Sequence, residues 1–418
     1  MVLSTVSTAP RTRSPRIALA AYAAFGAFGV FWGAWGAALP AIRTQAALSE
    51  TQLGTALLFV GVGALPAMAV TGRLLDRFGL RPIPILLILL GAAGIAVGSG
   101  ARDGVSVTAC MLAVGATSGA ADVAINTLAG HAEHHTGRPV LTRAHGTFSL
   151  AVVASSLGTG LLLSQALTPQ AVFVLAALSV IALAGTAGVL AEPARPESGT
   201  GSTLADEHRR PHAVGLYGMI ALIVLGAVGA LAYATENAHQ SWGAVLLTDA
   251  FTAPPEIAAL APATFAATAA AARFASAPLS RSRPAALLLF SGAGATGGTL
   301  LLALAPNVPL ALAGLAVAAA GTAPLFPTLL SHNLRDIAPS LRARATSTVA
   351  TTAYLGFLLG PPYVGLIAGA LDLRTAFIGV AALALVFTTV ITVTGRWTRR
   401  ALARPTCSKD RVDAHALS

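Results

Sequence analysis

Apolar residues in this chain come in long unbroken runs, not in the alternation of a half-buried strand or the stripe of a surface helix. Twelve runs are long enough, at about 20 residues each, to cross a bilayer as helices. They fall near 17–40, 51–71, 83–100, 106–129, 141–165, 171–190, 214–236, 255–276, 285–304, 309–331, 344–370 and 375–395. Short polar turns separate them, with one longer polar segment at 192–213. The pattern predicts an all-α membrane protein with twelve transmembrane helices.

Composition agrees. The 418 residues are 55% hydrophobic and 10% charged, with mean hydropathy +0.74. Soluble domains carry about 25% charged residues, so lipid is the expected solvent and the bilayer the first partner. The net charge of +10 suggests a nucleic-acid partner until its distribution is followed. With twelve spans and both termini in the cytoplasm, only Arg43, Arg102 and Arg374 fall outside. The remaining basic residues lie in cytoplasmic segments or near them, which is the positive-inside bias. The expectation is a multi-pass protein of the cell membrane, with no nucleic-acid partner. The first run is too long for a signal-peptide core and is read as a span. Cys110 and Cys407 are far apart and define neither a disulfide framework nor a zinc site.

Six spans precede residues 192–213 and six follow. This predicts an N-terminal bundle (1–191), a cytoplasmic linker (192–213), a C-terminal bundle (214–396) and a cytoplasmic tail (397–418). A weak internal repeat supports two halves. Gly72-Arg73 recurs as Ala272-Arg273, and Arg81-Pro82 as Arg283-Pro284, while Ser276 stands where Asp76 would map.

The charged loop between spans two and three reads Gly72-Arg73-Leu74-Leu75-Asp76-Arg77-Phe78-Gly79-Leu80-Arg81. This spacing of Gly72, Asp76, Arg77, Gly79 and Arg81 resembles the signature loop of the major facilitator superfamily, with Leu80 in place of one basic residue. Asp122-Val123-Ala124-Ile125-Asn126, His145 with Ser149, Glu236 with Trp242, and Gly356 to Pro362 resemble an uncharacterised bacterial inner-membrane branch. The resemblance implies two six-helix pseudo-repeats, alternating access, and a central cavity lined by spans one, four, seven and ten. It also implies that the loop latches the cytoplasmic side. Arg73 and Arg77 lie within a helical turn of Asp76. Asp76 is expected at the start of the third span, where a helix N-terminus favours negative charge. Gly72 and Gly79 would permit close backbone approach. The plainer reading is a topology anchor with a local ion pair.

Ionisable groups at membrane depth are costly and therefore functional candidates. Asp122 and Asn126 share one face of span four, and His145 and Ser149 one face of span five. Matched depths predict a ladder pairing Asp122 with Ser149 and Asn126 with His145. It serves either as interhelical glue or as a proton or substrate path. Glu236 is expected at the outer end of span seven, with Tyr233 and Trp242 nearby, facing either the cavity or the interface. Trp32 and Trp35 in span one are candidates for stacking on a substrate. Pro324 and Pro327 interrupt span ten, as a hinge or a kink.

His131, Glu133, His134 and His135 fall in a predicted cytoplasmic loop and lack an established metal-ligand spacing. The chain has no phosphate-binding Gly-Lys-Ser/Thr loop and no nucleophile constellation. Neither an enzyme nor a cofactor is expected. The expectation is a monomeric secondary transporter of a small organic molecule, proton-coupled, with uptake or efflux left open. The alternative is a non-transporting membrane sensor on the same scaffold.

Overall fold

The computed structural model describes residues 16–191, 216–335, 337 and 339–402. The predicted linker 192–213, and residues 403–418 of the predicted tail, lie outside them. The described residues form fourteen helices and no strand. The first six are α1 (Arg16–Gln45), α2 (Glu50–Phe78), α3 (Ile83–Gly100), α4 (Gly104–Thr136), α5 (Val140–Ser164) and α6 (Pro169–Leu190). Then come α7 (Leu216–Phe251), α8 (Pro255–Ala258), α9 (Leu260–Ser282), α10 (Pro284–Leu304) and α11 (Val308–Thr322). The described residues end with α12 (Leu325–Leu334), α13 (Pro339–Ala370) and α14 (Leu373–Leu402). They supply twelve spans, because α8 with α9, and α11 with α12, each make one crossing. The interruption of the tenth crossing falls at Ala323 and Pro324, where the sequence pattern places it.

Polar caps set several helix ends. Ser49 and Gln52 form a reciprocal capping box at α2, and Asp103 and Ser106 do the same at α4. Asp372 accepts from the Thr375 backbone N–H at 2.8 Å. These N–H donors hold the carboxyls of Asp103 and Asp372, both outside the spans, below the usual carboxylate range. Large apolar side chains such as Ile85, Leu178, Phe290 and Val393 point outward. That surface suits lipid rather than water.

With lipid outside, helices gain from close packing rather than from leaving water. In the N-terminal half α1 packs on α5 and α6, and α2 on α4. A Cβ on Gly115 would run into the Val60 backbone, so α4 lies directly against α2. In the C-terminal half α7 packs on α13 and α14, and α10 on α11. The halves meet along two seams, α2 with α13 and α5 with α8 and α9. At the first seam Gly54 faces the Gly365 backbone, where a Cβ would come within 2.9 Å of it.

The bundle has two chemically distinct ends. One carries the 72–81 loop. The other carries Arg43, Arg102 and Arg374. At this second end Arg43, in the last turn of α1, bonds to Glu50 of α2 at 2.5 Å and also pairs with Asp249 of α7. The Arg43–Asp249 pair joins the two halves. Thr51 Oγ1 donates to Gly365 O at 3.2 Å, and buried Ser156 Oγ to Ala259 O at 2.9 Å, tying the halves again.

The 72–81 loop departs from expectation. α2 continues through Phe78, so Asp76 lies in the last turn of α2, not at the start of α3. Arg73, Asp76 and Arg77 are exposed, and no Asp76 ion pair forms among the described residues. Arg77 instead stacks over Phe78. Nothing approaches within 4 Å of a Cβ built on Gly72. Gly79 is the C-cap of α2 at φ 60°, a conformation that a side chain disfavours. The segment 131–135 is also not a loop. It forms the last turns of α4, with the His131 and His135 rings 4.1 Å apart. No metal-binding group of three or more His, Cys, Asp or Glu occurs among the described residues.

Candidate functional site

A cavity of about 360 Å³ lies between the halves. The N-terminal half supplies an aromatic wall. Phe28, Trp32 and Trp35 come from α1 and Phe148 from α5. Their rings run in series: Phe28 to Trp32 at 6.2 Å, Trp32 to Trp35 at 6.1 Å and Phe28 to Phe148 at 5.7 Å between centroids. Small side chains on α2 and α4, including Gly61 and Gly119, make room beside them.

The C-terminal half supplies most of the polar groups. Tyr233, Asn237, Gln240 and Ser241 recur at helical spacing on α7 and line the cavity together. Sequence reasoning ends the seventh span at Glu236. The helix instead runs 36 residues to Phe251, which places Glu236 near its middle. Glu236 Oε1 accepts from Arg273 Nη2 of α9 at 2.8 Å and from Gln240 Nε2 at 3.2 Å. Arg273 therefore does not sit near its helix end as Arg73 does, five residues before Phe78. It lies nine residues inside α9 from Ser282, about 14 Å at 1.5 Å per residue. It is an exception to the split of basic residues between the two ends.

Arg273 also donates through Nε to Ala323 O at 3.4 Å. That carbonyl would bond the residue four positions on, but Pro327 has no N–H. Asn237 does the same for α13. Its Nδ2 donates to Phe357 O at 2.6 Å, the carbonyl left open by Pro361. Ser241 in turn donates to Asn237 Oδ1 at 2.9 Å. Two proline-interrupted helices are thus completed by polar side chains at the cavity wall.

Asp122 of α4 lines the cavity from the N-terminal half. The predicted ladder between α4 and α5 does not form. Asn126 Nδ2 turns back to Asp122 Oδ1 at 3.1 Å and to Asp122 O at 2.9 Å, both on its own helix. Ser149 lines the cavity but donates to His145 O at 3.1 Å, again within one helix. His145 packs edge-on against Phe25, with centroids 4.9 Å apart. The reason is packing: α4 nestles on α2 through Gly115, while α5 is drawn to α1. Asp122 and Ser149 therefore meet the same space without bonding each other.

Trp32, Trp35, Tyr233, Asp122 and Ser149 all line the cavity, while Asn126, His145 and Glu236 stand behind it. Trp242 does neither. It is fully buried in the core, its indole N–H without a partner among the described residues, and faces neither cavity nor lipid. Next to it, His239 is clamped between Thr235 O at 2.6 Å and Thr299 Oγ1 at 2.9 Å, tying α7 to α10. Gln240, Ser241, Arg273 and Tyr354 are cavity residues that sequence reasoning missed. The recurrence at 233, 237, 240 and 241 was a usable signal, hidden by ending the span at its first charge.

Comparison with known proteins follows the same division into halves. Residues 219–411 match the family model of the Major Facilitator Superfamily, and residues 5–182 that of the fungal trichothecene efflux pump. The uncharacterised transporter y4wD of Sinorhizobium fredii is 29% identical over 350 residues, covering 81% of this chain and 88% of that protein. Membrane protein MosC of Rhizobium meliloti is 24% identical, covering 83% of each. Among solved structures, a bacterial homologue of the human lysosomal transporter Spinster, inward-facing and occupied, superposes with TM-score 0.69 at 16% identity. That match covers 94% of this chain and 100% of the homologue. The nucleoside transporter NupG reaches TM-score 0.74 at 13% identity, covering 90% and 99%.

Proposed function

The chain is a multi-pass membrane transporter belonging to the major facilitator superfamily, and on that premise we propose that it moves a small organic molecule by alternating access, coupled to protons. The observation that carries this reading is the cavity shared by both halves, with the Arg43–Asp249 pair joining those halves at one end. The cavity volume lies in the range of sites for small organic ligands. The end bearing the 72–81 loop is read as cytoplasmic from its excess of basic residues, and both termini then lie in the cytoplasm. On that orientation, the inter-half ties from Arg43, Thr51 and Ser156 close the outer side, and the cavity belongs to an inward-facing state.

Asp122 is the leading proton site. Its protein hydrogen bonds come from Asn126 on its own helix, so it does not serve as glue between helices. A carboxylate kept at membrane depth without that role is best explained by transport. Glu236 is the second candidate, engaged by Arg273 in this state. Direction depends on the proton gradient and on whether proton and substrate move together or in exchange.

The test is proton flux in liposomes containing the purified protein, across a panel of organic compounds. Compound-dependent proton movement, lost or strongly reduced in Asp122→Asn, is expected. Absence of pH-linked flux in the wild type, or unchanged flux in both Asp122→Asn and Glu236→Gln, removes proton coupling.

A further inference from the structure

Resting on the transport reading above, we infer that the cavity takes an organic cation with an aromatic or apolar body, using Asp122 as its counter-ion in exchange for a proton. The inference begins with the charges at the cavity. Asp122 and Arg273 line it, and Glu236 and His145 stand behind its wall. Glu236 and Arg273 satisfy each other at 2.8 Å. Asp122 has no cationic partner among the described residues. Its neighbours bring no such charge either. The cavity faces of α1 and α2 carry only aromatic, apolar and glycine residues, and α5 adds Phe148, Ser149 and Val152. From the C-terminal half, the groups that interact electrostatically with Asp122 are the phenols of Tyr233 and Tyr354. His145, one turn along α5 from Ser149, stands behind the wall and interacts with Arg273 instead. The cavity therefore holds one uncompensated carboxylate.

The walls suit the same ligand. Trp32 and Trp35 present the ring type with the strongest pull on a cation, and Phe28 and Phe148 extend that surface. An anionic ligand would find Arg273 already paired with Glu236 and would approach Asp122 without a cation to offset it. A cation meets neither obstacle. It brings to Asp122 the charge that the cavity lacks, while its body lies on the aromatic wall. One carboxylate cannot hold a proton and pair fully with a cation at once. Occupancy by one weakens the other, which gives exchange rather than co-transport.

Binding to the purified full-length protein in detergent tests this separately from flux. Thermal unfolding is followed with aromatic cations of increasing size (benzyltrimethylammonium, ethidium, tetraphenylphosphonium), the neutral isostere neopentylbenzene, and the anions 4-tert-butylbenzoate and naphthalene-1-sulfonate. At least one cation should stabilise the protein, and the anions should not. Its affinity should fall on acidification, approaching about tenfold per pH unit once Asp122 is mostly protonated. In Asp122→Asn that affinity should drop by about thirtyfold or more and lose its pH dependence. The wild-type pH profile keeps the test open if that variant folds poorly. The inference is overturned if only anions or the neutral isostere bind, if no cation binds, or if cation binding ignores both pH and Asp122→Asn. Cation binding without any proton-linked flux would sink the transport reading and leave only the cation site at Asp122 standing. Proton-linked flux without cation binding would do the reverse.

Discussion

Asn237 Nδ2 donates to Phe357 O at 2.6 Å, across from α7 to α13. Phe357 has no helical donor because Pro361 stands four residues later. A side chain at the cavity wall thereby completes a helix that its own sequence breaks. Removing the amide should leave a part-buried carbonyl open, at a cost of about 1–3 kcal/mol at most. Asn237→Ala should lower the thermal midpoint measurably. Adding Pro361→Ala restores a backbone N–H, and the double variant should recover part of that loss. If the two substitutions destabilise additively, the bond is not what holds α13 to α7.

Glu236 and Arg273 form the corresponding tie between α7 and α9. Arg273 also reaches Ala323 O at the break before α12, so it touches three elements at once. Glu236 is the more buried partner, with 12% side-chain exposure against 48% for Arg273. Losing the arginine strands a carboxylate away from water, whereas losing the carboxylate leaves a cation that still meets solvent. Arg273→Gln should therefore destabilise more than Glu236→Gln, by about 1–3 kcal/mol after allowing for solvent screening. Thermal unfolding of the two single variants and the double variant checks the order. The double variant should be less impaired than Arg273→Gln alone.

These ties also mark how far the sequence could be read. Hydropathy located all twelve spans because lipid requires long apolar runs, and that signal is local. Asp122, Ser149, Tyr233, Trp32 and Trp35 were candidates for a related reason: a polar or aromatic side chain stands out against an apolar background. Partner choice was not local. The pairing of Asn126 with Asp122, rather than with His145, follows from which helix lies against α4. That was decided by Gly115 facing Val60, forty or more residues away in sequence. The roles of Arg273 and Asn237 were hidden similarly, since each completes a proline break on a different helix. The charge on Glu236 ended the seventh span too early, because its compensation by Arg273 is visible only in three dimensions.

Arg43 joins the two halves through Asp249 while also bonding Glu50 within its own half. Asp249→Asn breaks the inter-half part and leaves the local pair. For partly exposed side chains this is worth about 0.5–1 kcal/mol, enough to shift a two-state balance about two- to fivefold. The shift should favour the state open at the Arg43 end. A Thr51→Cys reporter, in a background without Cys110 and Cys407, should react faster with a membrane-impermeant thiol reagent once Asp249 is replaced. Thr51 is suited to this because its hydroxyl bonds Gly365 O across the seam. An unchanged labelling rate would show that the pair does not hold this end shut.

Asp76 provides the opposite case, an exposed acid with no ion pair among the described residues in this state. If it latches the bundle, it does so in the other conformation, when the 72–81 end closes. Asp76→Asn should then leave expression and the thermal midpoint within about 0.5 kcal/mol of wild type, as for other exposed substitutions. Transport should fall severalfold, because the conformation that needs the carboxylate is disfavoured. Labelling at Thr51→Cys should also slow, since the balance moves toward the state in which Thr51 is covered. The two readouts separate a latch from a topology anchor. An anchor would affect insertion and yield, and would leave the labelling rate of the inserted protein unchanged.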